Sequence, residues 1–322
     1  MSINDWFFPA GSLADDLWDA VVDPGDGQWN TASADSAWRH TGIRVASVAA
    51  GETRTLPAGD IERIVIPLHG SFAVRTREVD GATGVFELAG RTSVFDGPSD
   101  VLYLGVGVAA ELSAVGRSGR VAVAEAPASA RKPTRYIARE DVQVELRGAG
   151  RSSRQVHNFG TPDALDADRF IVCEVITPAE NWSSYPAHKH DTHVPGVEST
   201  LEEIYYFETD VTRGAIPGGP GSDAFGLFAT YASDDRDIQT NALVRTGDIA
   251  LVPHGFHGPA AAAPGYDLYY LNVMAGPNPE RVWNITDDPA HSWVRASWHG
   301  QDIDPRLPYG PRPLEVHEIG LD

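Results

Sequence analysis

Three histidines and a glutamate are the residues of this chain best placed to do chemistry. His188 and His190 form a His-x-His pair, and Glu202 and Glu203 open the aromatic run Ile204-Tyr205-Tyr206-Phe207. Gly247, Pro253, Gly255 and His257 follow later in the chain. Alternate side chains of a strand share a face, so His188 and His190 stand together, about 7 Å apart at the backbone, a workable bite for one ion. Taken alone, His188-Lys189-His190 also reads as a polar surface strand. The later motif changes that reading. Gly247 and Asp248 make a turn, 249–252 is a short buried strand, and 253–255 turn again and deliver His257 to a fixed place. Three imidazoles and one carboxylate suit a single divalent metal such as Zn, Mn or Fe, with Ni and Co also acceptable and Cu(I) or Ca a poor match. Alternation puts Glu203, Tyr205 and Phe207 on one face and Glu202, Ile204 and Tyr206 on the other. Lys189, between the two histidines, should point away from them.

The elements that position these groups are short. Apolar, β-branched and aromatic runs occur at 63–68, 71–75, 101–104 and 121–124, then at 170–175, 204–207, 226–231, 249–252 and 266–274. The 32 glycines and 23 prolines are scattered between them, so the chain reads as an all-β sandwich or barrel. Helical periodicity is weak, with 14–20 the best helix and 163–167 a helical turn. The stretch 125–133 is small, proline-containing and without strand character, and reads as a linker. It divides the chain into units 1–130 and 131–322. Gly90-Arg91-Thr92-Ser93-Val94-Phe95 ahead of Tyr103-Leu104 echoes Arg245-Thr246-Gly247-Asp248-Ile249-Ala250-Leu251, as a duplication would. The first unit offers only His40 and His69 and no His-x-His pair, so it is expected to lack a metal site and to serve a structural or oligomerising role.

Bulk properties narrow the partners. The formal net charge is −20. With no basic stripe to neutralise phosphates, nucleic acid and anionic membrane are not expected as partners. An anionic substrate must instead be held by local arginine or metal charge. The single cysteine, Cys173, sits in an apolar run, which excludes a disulfide framework, fits a reducing cytoplasm and reads as core packing. The start of the chain lacks a basic region followed by a long apolar one, and no apolar run is long enough to span a membrane. Exposed β edges favour self-association, so a homo-oligomer is expected.

The Gly247–His257 stretch is similar to the second cupin motif, and His188-x-His190 followed by a glutamate resembles the first. Glu203 lies farther from His190 than usual, so 191–201 looks like an inserted loop beside the pocket. More narrowly, the chain resembles the 5-deoxy-glucuronate isomerase family, bicupins of inositol catabolism. The resemblance is carried by Arg154-Gln155-Val156-His157-Asn158-Phe159, by the run from Asn181 through His188-Lys189-His190-Asp191, and by Leu201-Glu202-Glu203-Ile204-Tyr205-Tyr206. It continues at His254-Gly255-Phe256-His257 and in the run from Pro264 to Pro277. It extends weakly into the first half at Leu68-His69-Gly70-Ser71. It implies two tandem cupin domains, a degenerate first one and a metal-binding second one. It also implies His188, His190, Glu203 and His257 as metal ligands, with Glu203 preferred over Glu202 because the family's ligand lies two residues before the aromatic Tyr205. His254 and His193 are expected at the rim or surface.

The implied reaction is an aldose–ketose isomerisation of 5-deoxy-D-glucuronate to 5-dehydro-2-deoxy-D-gluconate, using one divalent metal and no organic cofactor. Tyr205 shares the ligand face and is the proton-transfer candidate, with core packing as its other reading. A hydride shift remains open. Arg281 is the first choice for the substrate carboxylate, with Arg213 and Arg245 behind it, and Arg154 and His157 are expected to line the pocket. Isomerisation of a related 4-deoxy-5-keto-uronate, an Fe(II) dioxygenase and a sugar-acid binder without turnover remain alternatives.

Overall fold

A computed structural model of the chain describes residues 5–25, 38–212 and 223–311. β-Branched and aromatic runs between glycine and proline turns make nearly every element a strand. The α-helix among the described residues is the single turn Val294–Ser297. One sheet of the first half runs Arg135–Ile137, Val101–Leu104, Ile61–Arg77, Gly119–Pro127, Gly42–Val48, Ala20–Val22. Ile61–Arg77, at 17 residues, leaves that layer to pair with Thr83–Arg91 and Ala109–Ala114 in a second one. In the second half, one sheet runs Phe7–Phe8, Ile249–Val252, Glu202–Val211, Tyr266–Ala275, Ile171–Thr177, Arg154–Gly160, Gln143–Arg147. Facing it, the other runs Gln239–Val244, Gly226–Tyr231, Phe256–Ala262, His188–Lys189, Thr286–Asp287. The long ladders are antiparallel.

Two local expectations give way. Residues 14–20 are not a helix: Asp15 Oδ1 accepts the N–H groups of Leu17 and Trp18 at 2.7 Å each, closing a side-chain turn in place of helical bonds. The chain then enters the strand Ala20–Val22. Residues 125–127 are not linker, because they complete the strand Gly119–Pro127 and pair with 61–63. The helical turn expected at 163–167 lies earlier, at 161–165, where the N–H groups of Ala164 and Leu165 are both donated to the Thr161 carbonyl. The halves also exchange strands. Phe7–Phe8 pairs with Ile249–Val252, while Arg135–Ile137 pairs with Val101–Leu104.

Three apolar cores follow from this. One fills the first half (Val65, Phe72, Val74, Leu102, Leu112). One fills the second (Tyr205, Phe207, Phe228, Tyr270). The third joins them, packing Ile64, Ile66 and Leu68 with Ile204, Tyr206, Tyr269 and Leu271. Two carboxylates cross this joint in opposite directions. Glu62 accepts the N–H groups of Asp168, Arg169 and Phe170, and Glu202 accepts those of Arg39, His40 and Thr41. Between them, Arg91 grips Glu174 with two 2.7 Å bonds, and Tyr269 Oη and His157 Nδ1 complete the carboxylate's shell at 2.7 and 2.6 Å. No helix among the described residues is long and apolar enough to cross a membrane.

Burial alone would raise the Glu174 carboxyl, but the Arg91 charge and the His157 hydrogen bond outweigh it and hold it well below the carboxylate range. A depressed carboxyl contributes stability that is present above its unfolded value, about 4.3, and is lost as pH falls from there toward the folded value. Urea unfolding should therefore show stability dropping as pH is lowered below about 4. Arg91→Ala, which leaves Glu174 buried without its cation, should cost about 3–5 kcal/mol at pH 7. An unchanged urea midpoint would contradict this account of the joint.

Candidate active site

The strand Glu202–Val211 places the carboxylate. Ile204 and Tyr206 face the joint between the halves, so Glu203, Tyr205 and Phe207 face the interior of the second. Glu202 is turned away into its shell of N–H groups. His188 lies opposite His257 in register, and the three imidazoles His188, His190 and His257 put their ligand atoms within 4.8 Å of one another, all buried. Ring centroids are 4.5 Å apart for His188 and His257 and 4.7 Å for His190 and His257. Glu203 Oε2 stands 3.1 Å from both His190 Nε2 and His257 Nε2.

Backbone carbonyls orient the rings. His188 Nδ1 meets the Pro186 carbonyl at 3.2 Å and His190 Nδ1 the Leu201 carbonyl at 3.0 Å. A carbonyl only accepts, so each Nδ1 carries the proton and each Nε2 lone pair is left for the cluster. His257 Nε2 is off line for a hydrogen bond to Glu203, and both its ring nitrogens are buried without a hydrogen-bond partner. A buried polar atom without a partner is costly, and a cation at this point would satisfy it. Burial and the neighbouring imidazoles push His188 well below its ordinary value, and burial likewise lowers His257. For His190, burial is outweighed by Glu203 and the value rises. Burial would raise Glu203, but His190 and His257 hold it at about 2. Imidazoles with burial holding His188 and His257 neutral, beside an ionised carboxylate, are the donor set a divalent ion takes, and such an ion would displace any proton from His190 Nε2, so these residues could hold one.

The turn motifs serve this geometry. Gly258 has φ +93, and a Cβ there would lie 1.8 Å from the Ser184 carbonyl oxygen, so only glycine lets the segment before His188 pass close to His257. Residues 191–201 are a hairpin, Asp191–Val194 with Glu198–Thr200, rather than a loop. Lys189 points away from the cluster and bonds Asp191 and Glu198 at 2.8 and 2.7 Å. Asp191 Oδ2 accepts the Gly255 N–H at 2.9 Å, tying the hairpin to the turn that carries His257.

A cavity of about 210 Å3 opens beside the cluster, lined in part by His188, Glu203, Tyr205, Ser184, Tyr270 and Arg154. Tyr205 Oη is 2.9 Å from Ser184 Oγ, and burial raises the phenol well above its ordinary value. Other sequence candidates lie elsewhere. Arg281 does not line this cavity: its Nε, Nη1 and Nη2 are given to the carbonyls of Phe170, Leu165 and Gly160 at 2.9, 2.6 and 3.0 Å. His157 points to the opposite face of its strand, toward Glu174. The alternation that brings Arg154 and Val156 inward forbids His157 from joining them. Arg245 pairs with Asp223 at an exposed site, and Arg213 lies outside the described residues. His254 meets the Asp237 carbonyl and His193 meets Asn278. Cys173 is core, its thiol pushed to about 12 by burial. The sequence reading missed Arg147, Trp283 and Arg295, which also line the cavity. Tyr270 and Asn272 lay within a quoted stretch and could have been found from parity.

Two tandem antiparallel sandwiches, one with an interior cluster of histidines and a glutamate beside a cavity, define a bicupin. The chain belongs to the KduI/IolB family, whose model matches residues 22–294. It is 38% identical over 267 residues to a 5-deoxy-glucuronate isomerase of Geobacillus thermodenitrificans, covering 81% of this chain and 89% of that one. To a protein of the same name from Bacillus subtilis it is 36% identical over 254 residues, covering 78% and 86%. The crystal structure of an IolB-like protein from Salmonella typhimurium superposes with a TM-score of 0.76 at 34% identity, covering 90% of this chain and 99% of that one. The oxalate decarboxylase of Lactobacillus farciminis, at 10% identity and a TM-score of 0.58 over 89% of each chain, shares the fold.

Asp191→Ala should free the turn before His257 and weaken metal retention about tenfold or more, read by competition with a chromogenic chelator. Retention equal to wild type would remove Asp191 from the support of the site.

Proposed function

We propose that this chain is a metal-dependent 5-deoxy-glucuronate isomerase, converting 5-deoxy-D-glucuronate to 5-dehydro-2-deoxy-D-gluconate, and that it does so in the cytoplasm as a step of myo-inositol catabolism. The observation that carries the reading is the convergence of His188, His190, His257 and Glu203 beside a small polar cavity, in a chain whose relatives bear that name. These four residues would hold one divalent ion of the Zn, Mn or Fe kind. When bound, it supplies Lewis-acid polarisation of the substrate's carbonyl and neighbouring hydroxyl.

The chain's own groups do the rest. Isomerisation moves one hydrogen from the carbon beside the aldehyde to the aldehyde carbon and one from oxygen to oxygen. Burial opposes the ionisation of Tyr205, and its hydroxyl, on the cavity wall with Glu203, is the chain's hydrogen-bond donor and proton source for a developing oxyanion. Ser184 Oγ, 2.9 Å from the phenol oxygen, holds the position of that hydroxyl. The packed rings of Phe207, Phe228 and Tyr270 around Tyr205 keep water from its inner side.

The test is proton NMR of 5-deoxy-D-glucuronate with Zn- or Mn-loaded protein in D2O. The aldehyde-hydrate signals should disappear as a ketone product grows, and chelation should abolish and reloading restore the change. Unchanged substrate with metal bound would refute the assignment, and the same assay on 4-deoxy-5-keto-uronate would then be decisive for the neighbouring chemistry. Deuterium at the new CH2OH carbon would indicate proton exchange with solvent, and its absence a hydride shift. We also expect the chain to self-associate, so sedimentation showing only the 34.6 kDa monomer would contradict that.

A further inference from the structure

Three guanidiniums, Arg147, Arg154 and Arg295, meet on the wall of the cavity that also exposes His188 and Glu203. Two are already neutralised. Arg147 gives Nε and Nη2 to Glu145 at 3.0 and 2.8 Å, and Arg295 gives Nε and Nη2 to Asp287 at 2.5 and 2.7 Å. Among the described residues, Arg154 has no carboxylate of its own. Its hydrogen bond is from Nη1 to the Ser152 carbonyl at 3.0 Å, and its guanidinium lies over the Trp298 ring, 5.4 Å from the centroid. Only 5% of the residue is exposed. The nearby Glu145 is held by Arg147 and also accepts from Asn158.

Burial pushes Arg154 down to about 10, so it remains a cation at neutral pH. A buried cation facing a cavity without a counter-ion is an unpaired charge, which folds do not retain for stability. Gly148 has φ +78, and a Cβ there would stand 2.1 Å from the Ser152 carbonyl oxygen that Arg154 bonds and 2.6 Å from Arg154 Nη1.

We propose that Arg154 is the seat of the substrate's carboxylate, and that its single unneutralised charge makes the site select a monoanionic sugar over a neutral one of the same shape. This rests on the isomerase reading for the identity of the sugar, though not for the anion seat itself. The ion pairs Arg147–Glu145 and Arg295–Asp287 are positioning pairs: they hold the wall and cancel their own charge. The carboxylate end and the aldehyde end of one substrate are then recognised by different groups of the same cavity, the guanidinium and the histidine cluster. Neutral aldoses would satisfy the second and leave the first buried and unpaired.

The experiment is calorimetric binding of D-glucuronate and of neutral D-glucose to wild type, Arg154→Gln and Arg154→Lys, each metal-loaded and after chelation, with melting temperatures alongside. The expected result is that Arg154→Gln binds D-glucuronate at least about tenfold more weakly, binds D-glucose as wild type does, and melts no lower than wild type, because a buried unpaired charge has been removed. Arg154→Lys, which keeps the charge without the planar fork, should fall between, and it carries the test if the glutamine variant does not fold. A lower melting temperature with equal loss of acid and neutral sugar would make Arg154 a structural residue and overturn the proposal. So would unchanged D-glucuronate binding in the glutamine variant, or failure of wild type to prefer the acid. If the acid preference depends on Arg154 while wild type leaves 5-deoxy-D-glucuronate unisomerised, the anion seat stands and the isomerase reading falls.

Discussion

The strand Glu202–Val211 is dry on both faces from Glu202 to Phe207, and much of the structure depends on that constraint. A strand with water on one side could place Glu203 by putting its odd-numbered residues inward and leaving the others wet. Here the other residues are also buried, with Ile204 and Tyr206 in the joint between the halves and Glu202 holding the backbone of residues 39–41. A slip of one residue would move Glu203 into the joint and Glu202 into the second core, stranding a charge on each side. The register of the ligand strand is thus set by the first half, whose own interior is filled with apolar side chains. That half fixes the position of a carboxylate in a site to which it contributes no ligand.

Buried charge is treated differently in the joint and in the cavity. In the joint, Glu62, Glu202 and Glu174 are each surrounded by several donors. Glu202 shows the limit of such solvation: burial lifts its carboxyl to about 7 despite the N–H groups around it, because none of them carries a full charge. Glu174, which has an arginine, moves the opposite way. Beside and around the cavity, by contrast, two groups are left incomplete among the described residues: both ring nitrogens of His257 lack hydrogen-bond partners and Arg154 lacks a counter-ion. One lies in the histidine cluster and the other on the wall of the cavity beside it, where a bound cation and a bound anion would complete them.

Legibility in the sequence followed the range of the forces. The all-β architecture was readable because alternation and turn residues act within a few positions, and the duplication showed faintly as a repeated motif. The same local rule separated Glu203 from Glu202 and turned Lys189 away from its neighbours. It would also have separated Arg154 from His157, which lie three apart on one strand and so on opposite faces. The helix expected at 14–20 failed to form because one side chain, Asp15, took the N–H groups a helix needs, and the expected linker lost three residues to a strand whose partner, Ile61–Arg77, lies far back in the chain.

By itself the sequence determined the donor types, their parity on strands and the turn that presents His257, because these depend on chirality, pleat and glycine's freedom at positive φ. Only the tertiary structure decided which arginine meets the cavity. Arg281 is consumed by three backbone carbonyls at 160, 165 and 170, a set brought within its reach only once those segments are folded together. Arg147 and Arg295 reach the cavity from opposite ends of the second half, each with its own carboxylate. Arg154 reaches it without one, and whether a charge is paired depends on how distant segments pack rather than on its neighbours in the chain.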